Sequence, residues 1–228
     1  MAFQHIRDVL QRLPDLWAGM YDSPAEECLG ERLIKSMDPA THFQTQVWVE
    51  TVAGRFRLDM LLIDRHGRRI AIEVDGKAFH DPIRDDWRTV FIMGDKQADV
   101  VYRVRASDLT ANLIGVLAGL GSVEPTCFRQ AELYRWQEIT RSTYRGDGDR
   151  EGQRSWRSAS SSSHTLLEMR FRCQARDCIR TTIRPRYDFA LATGLKDLKD
   201  IHAAWTVAYP SRSMISSPEA GDFFSLFE

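Results

Sequence analysis

Lysine is scarce in this chain, at 5 residues against 26 arginines in 228. Cysteine is scarcer still. Cys28, Cys127, Cys173 and Cys178 are few and scattered, which argues against a disulfide-stapled secreted domain and sets a reducing, cytoplasmic setting as the expectation. No Cys-x2-Cys knuckle is present, so a zinc site would have to be assembled from Cys173, Cys178, Cys127 and His164 or His202, a weak set. No run approaches the about 20 apolar residues of a membrane span, and the opening MAFQHIRDVLQRL lacks the pattern of a signal peptide. A net charge of −1 gives no overall attraction to polyanions, and no internal repeat is visible.

What is present is an ordinary globular composition, 43% hydrophobic and 28% charged, enough for a sizeable core. The length allows one large domain, or a domain of about 120 residues with an appendage. Charge is unevenly placed: residues 1–110 carry −3, residues 127–186 carry +6 and residues 187–228 carry −3. The arginine-rich stretch, with Tyr134, Trp136, Tyr144 and Trp156 interleaved, suits a nucleic-acid backbone and equally suits a solvated helix with a tether.

Apolar spacing predicts a short helix over 3–20. A second helix begins at the capping box Ser23-Pro24-Ala25-Glu26, with Leu29, Leu33, Ile34 and Met37 as its apolar face. A strand is expected at 42–50, then a hairpin over 55–76, a helix over 83–95, a strand over 100–104 and a closing helix over 110–121. The order describes an α/β sandwich with a central mixed sheet and a C-terminal extension. The expected division is a domain over 1–124, a helix over 125–142, a Ser/Gly/charge-rich linker over 143–163 and a small C-terminal segment over 164–228. Within that segment LLEMRFRC and CIRTTIRP look like strands.

The hairpin carries the chemistry. Asp59 interrupts Leu58-Asp59-Met60-Leu61, and Glu73 and Asp75 interrupt Ile72-Glu73-Val74-Asp75-Gly76. Acids are depleted from strands and are rarely buried unpaired. With the turn near 65–67, Asp59 and Glu73 fall roughly opposite each other, and Glu73 and Asp75 share a face. Three carboxylates crowded on one sheet face suit a hard divalent cation. Glu26 also has a complete explanation as the N3 acid of the capping box, and His80 as a loop residue. Arg88 and Asp86 could pair on a helix surface, and Arg103 could be a strand-edge charge.

These residues resemble the PD-(D/E)xK nuclease superfamily, and most closely its very-short-patch-repair endonuclease-like branch. The resemblance rests on Ser23-Pro24-Ala25-Glu26, Asp59, Glu73-Val74-Asp75-Gly76, His80, Asp86-Trp87-Arg88, Gly94 and Val101-Tyr102-Arg103, in that order, over residues 20–110. It implies a restriction-endonuclease-like αβββαβ core and a Mg²⁺- or Mn²⁺-dependent DNA endonuclease of repair, restriction or phage defence. It implies that Asp59, Glu73 and the Val74 carbonyl hold the ion, that Glu26 assists, and that Arg88 and Arg103 contact nucleic acid. Asp75 stands where the superfamily has its third-strand lysine, so Asp75, Lys77 and His80 share the expectation of proton handler. Two alternatives stay open: a catalytically inactive nuclease-fold subunit that binds nucleic acid or docks in a larger complex, and an RNA-preferring nuclease. No zinc finger or clear helix-turn-helix is present, so a protein partner or a homodimer is the expected source of any sequence specificity.

Overall fold

A computed structural model describes residues 20–76, 81–140, 144–146, 153–159, 166–172 and 183–210. The helix expected over 3–20 falls almost wholly on residues outside these ranges, as do Lys77, His80, His164, Cys173 and Cys178.

The chain runs through helix α1 (Pro24–Ser36), strands β1 (His42–Thr51), β2 (Gly54–Ile63) and β3 (Arg69–Asp75), helix α2 (Pro82–Gly94), strand β4 (Val100–Arg105) and helix α3 (Ala106–Val123). Helix α4 (Gln130–Thr140), strands β5 (Tyr144–Gly146), β6 (Gln153–Ala159) and β7 (Leu166–Arg172), and helices α5 (Arg184–Thr193) and α6 (Leu198–Ala208) follow. The fold is α/β. Its centre is a four-stranded mixed sheet in which β1, β2 and β3 are antiparallel neighbours and β4 lies parallel to β3. Strand β7 pairs with the far side of β4, and β6 and β5 continue outward.

Each face of the sheet has its own core. On one side Leu29 and Leu33 of α1, Val116, Leu117 and Leu120 of α3, and Leu133 and Trp136 of α4 cover Met60, Leu62, Ile70 and Ile72. On the other, Trp87, Val90 and Phe91 of α2, Tyr187 of α5, and Ile201 and Trp205 of α6 cover Leu61, Ala71 and Val101. Helix α3 has the length and apolarity of a membrane span, with mean hydropathy 1.3. Half of that stretch is buried in the protein, where it forms part of the first core.

Several local readings change. The buried stripe of α1 is Glu26, Leu29, Gly30, Leu33 and Ser36, so Ile34, about 100° round from Leu33, is 43% exposed. Residues 144–146 and 153–159, expected as linker, are strands: β6 pairs with β7 and β5 with β6, satisfying backbone groups that a sheet edge would leave open. The end of CIRTTIRP begins helix α5 rather than a strand, with Pro185 tolerated in its first turn. Cys127 lies in the α1/α3 core and His202 on α6 across the sheet, so those two cannot share a zinc ion.

The C-terminal helices clamp α2 at both ends. Arg186 Nη1 meets Asp86 Oδ2 at 2.6 Å, with the guanidinium about equally placed between the rings of Trp87 and Trp205. At the other end Tyr187 donates from its hydroxyl to Asp95, and its ring occupies the space a Cβ on Gly94 would fill. Gly94→Ala is therefore expected to lower stability by about 1–3 kcal/mol through overpacking, read by urea denaturation. Unchanged stability would mean that Tyr187 does not seat against α2.

Candidate active site

The β2–β3 hairpin is tied at its turn and opens at its other end. At the turn, Asp64 accepts from the N–H groups of His66 and Arg68 and from Thr126 Oγ1, and Gly67 takes the left-handed φ of 77° that closes the loop. From there the two strands pair through Ile63↔Arg69 to Met60↔Ile72, and the regular pairing ends. The next residues on each strand are Asp59 and Glu73. Where the ladder stops, the Asp59 carboxylate replaces a backbone partner: its Oδ2 accepts from the Val74 N–H at 2.8 Å. This bond holds the two acidic positions together.

A second distortion sits at the same level. In the β1–β2 register Thr45 faces Met60 and Val47 faces Leu58, leaving Gln46 and Asp59 across from each other outside the ladder. Gln46 has φ of 53°, the left-handed region that a non-glycine residue enters at a cost. The kink changes which face the pair buries. Phe43, Met60 and Leu62 pack toward α1 and α3, whereas Val47, Val49 and Leu58 pack toward α2. Regular alternation would have kept Leu58 and Met60 on one side.

Glu26 joins from α1. Its amide donates to Ser23 Oγ at 3.2 Å, the N-cap half of the capping box, and Ser23 Oγ donates to Glu26 Oε1 at 2.8 Å. Its other oxygen, Oε2, accepts from the Asp22 N–H at 3.0 Å and from Gln46 Nε2 at 2.8 Å, so the buried carboxylate reaches past its own helix to the kink. Gln46 Oε1 is buried without a hydrogen-bond partner.

On the opposite side of the fork, guanidinium groups face the β3 acids. Arg88 of α2 contacts both oxygens of Glu73, at 3.2 and 2.9 Å, and donates to the Arg57 carbonyl. Arg103 stands beside Glu73 in the parallel β3–β4 register and pairs with Asp75 at 3.0 Å and with Asp85 at 3.5 Å. Burial opposes the charge of Arg103, but Asp75, Glu73 and Asp85 outweigh it and hold the guanidinium protonated.

Burial raises the two central carboxyls. Asp59 goes from 3.8 to about 6; Glu26 and Asp75 add to the rise, while the Val74 N–H and Arg88 oppose it. Glu73 goes from 4.5 to about 7, with Arg88 and Arg103 opposing and Asp59 and Asp75 adding. Negative charge exceeds positive charge here even with both arginines in place. An additional cation is the species that would let both acids ionise.

The structure thus brings together Glu26, Asp59, Glu73, Val74, Asp75, Arg88 and Arg103; Lys77 and His80 are outside the described residues. It separates the acids more than the expectation of three on one face did. Glu73 and Asp75 turn to the α2 side, and Asp59 turns along the strand to Val74. Among the described residues no three His, Cys, Asp or Glu side chains are gathered as a ready metal cage. The donor chemistry nevertheless fits a hard cation: carboxylates of Asp59 and Glu73, with the orphaned amide oxygen of Gln46 buried in the same neighbourhood. Gln46 and Asp85 escaped the sequence reading. A polar residue opposite Asp59 was the available signal for the first; nothing local marked the second. Beside the fork lies a cleft of about 640 Å³ between Asp22–Glu26, the end of β3 at Val74 and Gly76, and the start of α3 at Ala106 and Leu109.

Compared with protein-family models, with curated proteins and with solved structures, the chain has no match.

The two raised carboxyls set a pH signature for the protein held in chelator. Both bind protons more tightly folded than unfolded, so their stabilising effect is complete below about 4. It is lost as pH rises toward about 7. Urea denaturation across that window should show stability falling with pH, and Glu73→Gln should flatten the fall. Equal slopes in the two proteins would mean that Glu73 is not held protonated.

Proposed function

We propose that the chain is a metal-dependent DNA endonuclease with a restriction-endonuclease-like αβββαβ core, working in repair, restriction or phage defence. The observation that carries the reading is the pair Asp59 and Glu73. They are acids from adjacent strands, set side by side where the ladder ends and joined through Val74, both with proton affinity raised by burial. The helix–three strands–helix–strand order around them and the seven motifs in sequence order support the same reading.

Asp59, Glu73 and the Val74 carbonyl are the groups that would hold Mg²⁺ or Mn²⁺. When bound, such an ion supplies charge stabilisation for the phosphorane-like transition state and acidifies a water. Glu26 fixes the Gln46 kink, and through it the strand level at which Asp59 sits. Arg88, once Glu73 turns to an ion, has the planar fork that suits a phosphate oxygen pair. The proton handler is Asp75, Lys77 or His80. For Asp75, Oδ1 is engaged by Arg103, so taking a proton there requires that pair to loosen.

A second reading draws on the ion pairs. With Glu73 satisfied by Arg88 and Asp75 by Arg103, the same fold would also serve as an inactive nucleic-acid-binding or docking subunit. Cleavage decides between them. Supercoiled, linear and single-stranded DNA, together with RNA, should be incubated with Mg²⁺ or Mn²⁺ beside Asp59→Asn and Glu73→Gln. Each substitution is expected to lower DNA cleavage by about 100-fold or more. Cutting that survives both would overturn the site assignment, and a wild type that binds without cutting would favour the subunit.

A further inference from the structure

Trp48 is 52% exposed in the middle of β1, the outermost strand of the sheet. The kink at Gln46 explains why it is not in a core: beyond it Val47 and Val49 turn inward toward α2, and Trp48 is left on the other face. Register places Arg57 directly across from it. The guanidinium carbons of Arg55 and Arg57 lie 4.5 and 5.7 Å from the indole ring centre. A half-open indole flanked by two guanidiniums matches the chemistry of an unpaired nucleotide, whose base stacks on the ring while its phosphate meets the cations.

Position strengthens the match. Arg57 pairs with Asp22, a residue of the cleft wall, and its carbonyl accepts from Arg88, which holds Glu73. Asp59 is two residues farther along β2, about 7 Å at strand rise, whereas Glu73 and Arg88 lie on the opposite, α2 face of the sheet. Both arginines already have acidic neighbours, Glu50 for Arg55 at 3.2 Å and Asp22 for Arg57. These groups are 40–76% exposed, and pairs so exposed contribute little and are readily exchanged for phosphate. A protein partner would call for a contiguous apolar patch, whereas the exposed residues beside Trp48 on its face, Glu50, Arg55 and Arg57, are charged, with Val52 apolar at the hairpin tip.

We propose that Trp48, Arg55 and Arg57 form a docking platform for an unpaired nucleotide of a DNA strand, next to the cleft wall at Asp22 and on the sheet face opposite Glu73. The inference rests on the nuclease reading for the identity of its ligand, and it names single-stranded or frayed DNA as the substrate class.

The test is binding, measured on the full chain in chelator so that cleavage plays no part. Fluorescence anisotropy would follow a labelled single-stranded DNA of about 12 nucleotides, the RNA of the same sequence and the blunt DNA duplex. The single strand should bind more tightly than the duplex. Trp48→Ala should weaken single-strand binding about 10-fold while leaving the duplex unchanged, and Trp48→Phe should recover most of the loss. Arg55→Ala should lower the salt dependence of single-strand binding by about 0.7 in log–log slope. Equal Trp48 sensitivity on the RNA strand supports the platform and shows that it does not read the sugar. Single-strand affinity unaffected by Trp48→Ala, loss of strand and duplex binding in equal measure, or a wild type with no affinity for the single strand would each overturn it. A platform that binds as described in a protein that never cleaves would refute the catalytic reading alone, leaving the binding subunit.

Discussion

Two carboxylic acids buried side by side repel when both are ionised, and a low-dielectric interior magnifies the repulsion. Glu73 is buried and Asp59 half-buried beside it, and much of the surrounding architecture answers the problem they create. Helix α2 contributes Arg88, strand β4 contributes Arg103, and the backbone of β3 contributes the Val74 N–H. Burial, before any charge repulsion, raises the proton affinity of both acids, and these partners only partly oppose it. Replacing the two acids by apolar residues would remove the difficulty altogether. The chain instead keeps them and surrounds them with two guanidiniums and a backbone N–H, the arrangement on which the proposed cation site rests.

The counter-charges are only as well placed as the elements that carry them. Arg88 depends on the seating of α2, and α2 depends on Arg186 at one end and Tyr187 at the other. Asp95 links the same helix to the β1–β2 hairpin by accepting from the Val52 N–H at 2.9 Å. The C-terminal helices are remote in sequence from the carboxylates and still help set the distance between Arg88 and Glu73. The Gln46 kink acts from the other side, sending the outer half of the β1–β2 pair across to the α2 core while its inner half packs on α1. One backbone irregularity therefore both levels Asp59 and exposes the indole beyond it.

The hairpin, its acids, α1, α2 and β4 were legible because their signals are local. Examples are a capping box at Ser23, acids where strands carry valine, and apolar spacing at Trp87, Val90, Phe91 and Met93, all buried. The hydrophobic period also anticipated Leu166–Arg172 as a strand and Gln130–Thr140 as a helix. What local signals could not supply was partnership. Arg88 and Arg103 read as cations for phosphate, and only the parallel β3–β4 register and the approach of α2 turn them toward Glu73 and Asp75. Residues 144–146 and 153–159 looked like tether because strands that only extend a sheet edge need little apolar content. Gln46 was invisible because its conformation, not its identity, makes it unusual.

The order of the chain also governs its biosynthesis. Trp87 and Phe91 emerge from the ribosome with α2, yet the rings that cover them, Tyr187 and Trp205, are translated about 100 residues later. At about 5–20 residues per second that interval lasts several seconds or more. During it the α1-side core can close over Leu29, Leu33 and the inner sheet, while the aromatic face of α2 stays open to solvent. A nascent chain in that half-covered condition presents a sticky aromatic surface on α2, which makes it a natural client for chaperones. It also makes truncations before α5 poor candidates for production in isolation.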